Sequence, residues 1–230
     1  MYPKFLLIFL LLVSMLVGCD LASPTMAHNT IPTVAPTMEF VEPTLLQPNS
    51  PTQPIIKITP TPLAIQQTVI DRASQVIAAL KDQDMTSLSG YVHPQLGLRF
   101  SPYAFVRETD QVFSMDKVAG LLADSTIYTW GAYAGSGAPI DLTFADYYSK
   151  FVYDVDFANA PQLALNHRLG VSTSMDNSLE FYPGAMIVEY YFPEFNPQFE
   201  GMDWRSLRLV FTLYNNTWYL VGIIHDQWTT

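Results

Sequence analysis

Two strand-like runs near the C-terminus constrain the fold of this chain more than any other feature. They are Arg205–Tyr214 and Thr217–Gln227, and only Asn215 and Asn216 separate them. Asparagine tolerates the left-handed backbone conformation that a two-residue hairpin turn requires. The sequence therefore predicts a long antiparallel hairpin as the last unit of the fold.

The turn also fixes the register of this hairpin, and the register sorts its side chains into two faces. With Tyr214 opposite Thr217, Arg205 is expected to lie opposite Asp226 at the open end. The face predicted to meet the core carries Leu207, Leu209, Phe211, Leu213, Trp218, Leu220 and Ile224. The opposite face carries Arg208, Val210, Thr212, Tyr214, Tyr219, Val221, Ile223 and His225. Because this second set is half polar and half apolar, we expect it to meet solvent or to line a cavity.

Three helices are predicted upstream of the hairpin. The first begins at Ile65 and ends between Lys81 and Asp84, because apolar residues recur there at intervals of three and four. Those apolar residues are Ile65, Val69, Ala73, Val76, Ile77 and Leu80. A second helix is expected from Ser114 through Val118, Leu121 and Leu122.

The third predicted helix has the clearest start signal. Thr143 followed by Asp146 three residues later fits a capping box, and Asp146 with Lys150 forms a favourable i,i+4 pair. Its predicted buried face consists of Phe144, Tyr147, Tyr148 and Phe151. Two more strands are expected at 126–133 and 185–192, which are rich in β-branched and aromatic residues.

Helices followed by a mostly antiparallel sheet predict a single α+β domain over residues 65–230. This layout resembles the NTF2-like or cystatin-like fold, in which an N-terminal helix packs into a curved sheet. The closing run from Trp218 to Ile223 is similar to the terminal strand of many such domains. Segments 99–103, 202–207 and 225–228 also resemble those of uncharacterised bacterial lipoproteins, a resemblance that implies no activity.

The chain that precedes this domain is predicted to be a disordered linker over residues 19–64. Its composition changes to Pro, Thr, Ser, Asn and Gln, and it contains nine prolines. Proline removes backbone donors and favours extended conformations, so such a stretch favours polyproline II over a packed helix or sheet.

The first residues predict a secretory signal peptide over 1–18. Lys4 precedes an apolar run of about 13 residues, which is shorter than the roughly 20 that a membrane-spanning helix needs. The run ends in Leu16, Val17, Gly18 and Cys19, which resembles the lipobox of bacterial lipoproteins. That resemblance implies cleavage before Cys19 and lipidation of its thiol, whereas the alternative is an ordinary signal peptide with a coincidental cysteine.

Charge and motif content exclude several classes of function. The formal net charge is -10 and the pI is near 4.6, which disfavours nucleic acid and anionic membrane surfaces as partners. The chain has one cysteine, so a disulfide within the domain is not expected. We find no nucleophile elbow, zincin helix, phosphate-binding glycine loop or paired Cys-X-X-Cys motif, and we therefore expect neither metal nor cofactor.

The candidate site predicted from the register consists of Arg208, Tyr219 and His225, with Asp226 as a possible acid/base partner. An imidazole within reach of a guanidinium and a phenol could orient an anionic or hydroxylated ligand, or act as a general base. The alternative is a histidine on a partly solvated sheet edge. Of the other histidines, His28 lies in the predicted linker, and His93 and His167 have no partner at metal-ligand spacing.

Three further motifs have a structural alternative that we favour. Tyr128 and Trp130 share a strand face and could form a glycan platform, but core packing is the preferred interpretation. Residues 134–137, Ala-Gly-Ser-Gly, suit a turn. Asp154 and Asp156 resemble the start of a calcium loop. The acidic and glycine positions that should follow in such a loop are lacking, so a helix-exit loop is the preferred interpretation.

The sequence therefore predicts an extracytoplasmic, membrane-anchored lipoprotein of the cell envelope that acts as a binding or accessory module. Its expected partners are the membrane, through lipid on Cys19, and a small anionic ligand, a glycan or an envelope protein. The alternative is an NTF2-like enzyme of isomerase or hydrolase type, with His225 and a carboxylate as acid and base. A deep cavity with buried carboxylates would favour the enzyme, whereas a filled sheet face would favour binding.

Overall fold

The computed structural model describes residues 61–229, which form an α+β domain. Its helices are α1 (Pro62–Lys81), α2 (Met85–Ser89), α3 (Met115–Val118), α4 (Phe144–Phe151) and α5 (Ser178–Phe181). Its strands are β1 (Leu98–Ser101), β2 (Val112–Phe113), β3 (Tyr128–Ala132), β4 (Pro139–Leu142), β5 (Gln162–Leu165), β6 (Met186–Phe192), β7 (Arg205–Tyr214) and β8 (Thr217–Gln227). The predicted signal peptide, the lipobox and nearly all of the predicted linker lie outside the described residues.

The first helix begins earlier than the sequence predicted. Thr61 caps α1 by accepting a hydrogen bond from the backbone N–H of Ala64, and Pro62 occupies the first helical position. Proline fits there because the first N–H groups of a helix have no partner inside the helix. The predicted helix start at Ile65 was therefore too late, since Pro62 to Ala64 belong to α1.

The other two predicted helices are found at the predicted positions, although one of them is shorter than predicted. Thr143 caps α4 by accepting from the N–H of Asp146, and all four residues of the predicted apolar face are buried. The predicted pair of Asp146 with Lys150 does not form, because Lys150 Nζ lies 3.2 Å from the hydroxyl of Tyr133. The helix predicted from Ser114 is confirmed only as the short α3, which a 3-10 turn at Leu121–Ala123 follows, and α2 was not predicted.

Six strands form one sheet in the order β2-β1-β8-β7-β6-β5. Neighbouring strands run antiparallel except for β1 and β8, which are parallel. The strands β3 and β4 form a separate antiparallel hairpin. The predicted α+β class, with an N-terminal helix packed on a curved and mostly antiparallel sheet, is confirmed.

The main core lies between one face of this sheet and the helices α1 and α4. It is strongly aromatic, and the ring of Trp130 stacks on that of Tyr147 with centroids 3.8 Å apart. Trp130 is 1% exposed, so its predicted role in core packing is confirmed. The Ala134 to Gly137 turn is also confirmed, with Gly135 and Gly137 in left-handed conformations.

The turn of the final hairpin is confirmed, but its register changes halfway along. Asn215 and Asn216 adopt φ angles of 48° and 61°, and Phe211 pairs with Leu220 as predicted. A bulge then shifts the pairing by one residue, so that Val210 pairs with Gly222. A bulge places two residues of one strand opposite one residue of its partner, and it thereby reverses the faces of all later side chains in the bulged strand.

Several predicted faces were therefore wrong beyond the bulge. Ile223 belongs to the main core, and Ile224 packs on the second face of the sheet, the face that carries Arg208. Arg205 pairs with Gln227 rather than with Asp226. Between the turn and the bulge, Leu213 was predicted to be in the core but is 55% exposed, and it lies one pair from the end of the hairpin.

Candidate functional site

An open cleft of about 590 Å³ lies where the end of α4 meets the open ends of β7 and β8. We call it the Arg205 cleft. Its lining residues are Ser149, Lys150, Asp154, Val155, Phe195, Asp203, Arg205 and Gln227. The lining thus combines two cations, two carboxylates, an amide and an aromatic ring, which together can recognise a polar ligand.

Arg205 is held in place on one side of the cleft. Its Nε donates to Oδ2 of Asp154 over 3.0 Å, and its Nη1 donates to the backbone oxygens of Asp203 and Trp204. The Arg205 side chain is nevertheless 30% exposed. A guanidinium fixed by three hydrogen bonds and still open to solvent is pre-organised for a ligand.

His225 lies behind the same carboxylate and has no exposed surface. Its Nε2 is 3.3 Å from Oδ2 of Asp154, and its ring meets Phe151 edge to face at 5.6 Å. Burial on its own would raise the pKa of Asp154, but the contact with His225 and the charge of Arg205 outweigh it and bring that pKa below its ordinary value. Asp154 is therefore a carboxylate at neutral pH.

The three residues predicted to share a site are not brought together. His225 pairs with Leu207 on the core face, whereas Arg208 is on the second face, where it donates to Asp176 over 2.8 Å. Tyr219 is near the tip of the hairpin, where its ring contacts that of His93 at 5.8 Å. Because of the bulge, the predicted combination of cation, phenol and imidazole on one face was wrong.

The predicted acid/base partner of His225 is also on the other side of the sheet. Asp226 is 1% exposed and accepts a hydrogen bond from Arg168 over 2.8 Å. Burial raises the pKa of Asp226 even though Arg168 is beside it. The carboxylate that approaches His225 is Asp154, which the sequence placed only in a loop that follows a helix.

A segment without helix or strand, residues 166–177, covers the second face and buries charge beneath it. Besides Arg168, the segment provides the N–H of Leu169, which donates to Glu189 over 2.7 Å, and Asp176, which pairs with Arg208. The two arginines of this network are thus matched by acidic partners. We therefore infer that these contacts hold segment 166–177 on the sheet and do not bind a ligand.

A shallower depression of about 270 Å³ continues from the Arg205 cleft. It shares Asp203, Arg205 and Gln227 with the cleft and adds the side chains of Phe199, Met202 and Trp228. We call these three residues the Trp228 shelf. They are 52%, 45% and 37% exposed, so the shelf presents apolar surface directly beside the polar cleft.

The sequence interpretation missed Asp154, Asp203 and Arg205 as residues of one site. Arg205 was considered only as the end of a strand, and Asp154 only as a residue of a helix-exit loop or of a calcium loop. The available signal was the position of Asp154, just after a helix whose apolar face is predicted to pack on the sheet. In residues 61–229 no group of three or more His, Cys, Asp or Glu could hold a metal ion.

Comparisons with known proteins give a likeness in structure but none in sequence. The sequence matches no known protein-family profile, and no curated protein is significantly similar to it. A crystal structure described as a putative calcium/calmodulin dependent protein kinase II association domain from Xanthomonas campestris is similar at 10% identity with a TM-score of 0.30. That match covers 74% of this chain and 92% of the other. Within residues 61–229, no helix combines the length and the apolar character needed to cross a membrane.

Proposed function

We propose that this protein is a lipid-anchored, extracytoplasmic module that binds a ligand in the Arg205 cleft at the cell envelope. The anchor is proposed from Leu16, Val17, Gly18 and Cys19, whose order resembles a lipobox. The proline-rich linker then serves as a spacer between the anchored cysteine and the folded domain. A domain tethered in this way meets ligands outside the cytoplasmic membrane.

The observation that carries the binding proposal is the fixed but exposed guanidinium of Arg205. Its three hydrogen bonds to Asp154 and to the backbone keep it in one position before any ligand arrives. Pre-organisation of this kind lowers the ordering cost of binding. The guanidinium also lies beside Gln227 and Lys150, which supply further donors to the same cleft.

The enzyme alternative rests on the contact between His225 and Asp154. A buried imidazole 3.3 Å from a carboxylate is a pair that can exchange a proton. A general base must reach the substrate, however, and His225 has no exposed surface behind Asp154. The binding function is therefore the better supported of the two.

The test is a ligand screen with a matched pair of variants. Soluble anionic compounds, oligosaccharides and peptides are screened against the full chain in mild detergent, and the hits are titrated by calorimetry. Arg205→Ala should weaken binding by about tenfold or more, because a charged hydrogen-bond partner is removed. Arg107→Ala, an exposed arginine that lines neither the cleft nor the shelf, should bind like the wild type. Equal affinities in both variants would place the binding site elsewhere.

A third variant separates binding from catalysis. Ligands found in the screen are incubated with the full chain, and product is measured by mass spectrometry with His225→Phe as the comparison. Turnover that disappears in His225→Phe would establish the enzyme alternative. Binding without turnover is the expected result.

A further inference from the structure

We infer that the Arg205 cleft and the Trp228 shelf form one continuous trough that binds an uncharged glycan chain. This inference rests on the proposed function, because it names the chemical class of ligand for the same cleft. The continuity comes from Asp203, Arg205 and Gln227, which line both depressions. A ligand that fills the trough must therefore be extended, with polar groups in the cleft and apolar surface on the shelf.

The charges of the trough favour an uncharged ligand. Lys150 and Arg205 contribute two positive charges, and Asp154 and Asp203 contribute two negative ones. The two signs thus balance in number, and an anion or a cation would gain little net attraction. The full chain has a net charge of -10, which further disfavours an anionic ligand.

The hydrogen-bonding groups match hydroxyls, which both donate and accept. One carboxylate oxygen of Asp154 and one of Asp203 are fully buried and cannot meet a ligand, so other groups of the cleft must bind its hydroxyls. The amide of Gln227 offers a donor and an acceptor, and the ammonium of Lys150 has more donors than its bond to Tyr133 uses. A sugar ring that presents several hydroxyls satisfies both kinds of group at once.

The apolar surfaces match the C–H faces of sugar rings. Phe195 lines the cleft and is 50% exposed, and its ring stacks on Phe192 at 5.2 Å with an interplanar angle of 26°. Trp228 presents a second ring on the shelf. Flat aromatic rings that are held by their neighbours give contact area at little cost in conformational entropy.

A proline-rich peptide would suit the same rings but not the polar lining. Polyproline segments bind in aromatic-lined grooves. Proline has no backbone N–H, so such a peptide provides few donors for the amide oxygen of Gln227. A ligand with both donors and acceptors makes more hydrogen bonds with this lining than such a peptide does. The glycan is therefore the better match.

The experiment is a calorimetric titration of the full chain in mild detergent with uncharged β-linked oligosaccharides of glucose, N-acetylglucosamine, mannose or xylose, from single sugars to hexamers. For at least one series, affinity should rise with chain length until the trough is filled. Trp228→Ala should abolish this gain with length, whereas Arg205→Ala should weaken binding at every length by about tenfold or more. Gln227→Ala is a second cleft variant in case Arg205→Ala fails to fold, which thermal melting reveals.

The outcomes distinguish this inference from the proposed function. If no uncharged oligosaccharide binds, the glycan inference is overturned. If an anionic oligosaccharide or a proline-rich peptide binds instead and Arg205→Ala weakens it, the cleft still binds a ligand and only the ligand class is wrong. If an oligosaccharide binds equally well to wild type, Arg205→Ala and Gln227→Ala, the cleft itself is not the site. An affinity that does not depend on chain length would show that the Trp228 shelf does not bind the oligosaccharide.

Discussion

Arg168 donates a hydrogen bond from its Nε to Oδ2 of Asp226 over 2.8 Å, at a point where the carboxylate side chain is 1% exposed. Arg168 belongs to the irregular segment 166–177, and Asp226 belongs to β8. The pair therefore ties a segment without regular structure to the central hairpin. The Arg168 guanidinium also donates to the backbone oxygen of Ser174 and the hydroxyl of Ser172, which fixes the fold of the segment itself.

We predict that Arg168→Met destabilises the domain by about 3–5 kcal/mol, because it leaves a buried carboxylate without its partner. The matched control is Lys81→Met, which breaks the pair of Lys81 with Asp156, where both side chains are about half exposed. Exposed pairs contribute about 0–1 kcal/mol, so the control should change little. Urea unfolding followed by circular dichroism measures both. Similar losses in the two variants would show that Asp226 does not need Arg168.

Truncation of Phe211 tests the part of the hairpin between the turn and the bulge. Phe211 is fully buried and pairs with Leu220, so Phe211→Ala should cost about 3–5 kcal/mol in the free energy of unfolding. Leu213 is on the same strand face but is 55% exposed, so Leu213→Ala should cost much less. Denaturant titrations of both variants check this. A larger loss in Leu213→Ala would contradict the register.

The elements that the sequence predicted are those with local signals. The Asn215 and Asn216 turn and the Thr143 cap depend on neighbouring residues only, and both form as expected. The bulge has one local signal, because Gly222 follows Val221 at the shifted pair and glycine within a strand often marks a bulge. Unless the bulge is recognised, the sheet face that carries His225 cannot be predicted, since one extra residue moves every later side chain of the strand to the opposite face.

The Arg205 cleft depends on contacts that no local pattern encodes. Asp154 and Arg205 are separated by 51 residues, and their meeting requires both the packing of α4 on the sheet and the register of β7. The position of segment 166–177 could not be predicted either. The segment has neither helical nor strand periodicity, yet it covers the second face. Hydrophobic periodicity predicts elements, but it does not predict how irregular segments pack.

The position of Thr61 predicts where an independently folding fragment begins. A fragment of residues 61–230 retains the cap and Pro62, and it should melt cooperatively at nearly the temperature of the full chain. A fragment of residues 66–230 lacks the first helical turn and the cap, and it should lose about 0.5–2 kcal/mol or more. Calorimetry of both fragments measures the difference. Failure of the longer fragment to melt cooperatively would show that residues before Thr61 belong to the domain.

The proposed anchor predicts the behaviour of one cysteine variant. Cys19→Ser removes the thiol that a diacylglyceryl group would modify, so the chain should lose lipid labelling and leave the membrane fraction or remain unprocessed. Metabolic labelling with a fatty-acid analogue, followed by fractionation, measures both. Cys19 is the only cysteine of the chain, so a labelled Cys19→Ser protein would rule out the lipobox interpretation.

Asp154 predicts a specific dependence of stability on pH. Its pKa in the folded domain is below the ordinary value, because His225 and Arg205 outweigh the effect of burial. The stabilisation from this carboxylate is therefore complete above its unfolded pKa of about 3.9, and it is lost as the pH falls through the folded pKa. Asp154→Asn should lower stability at neutral pH and should lose less of it than the wild type on acidification below about pH 4.

The control for this effect is Asp71→Asn, which changes an exposed carboxylate on α1 that accepts from Gln67. Urea unfolding of the wild type and both variants at a series of pH values from about 7 to 3 measures how the free energy of unfolding changes with pH. Wild type and Asp71→Asn should lose stability in parallel below about pH 4, while the curve of Asp154→Asn converges on theirs. Parallel curves for all three proteins would mean that Arg205 and His225 do not favour the charged form of Asp154, and the pre-organised cleft would lose its electrostatic basis.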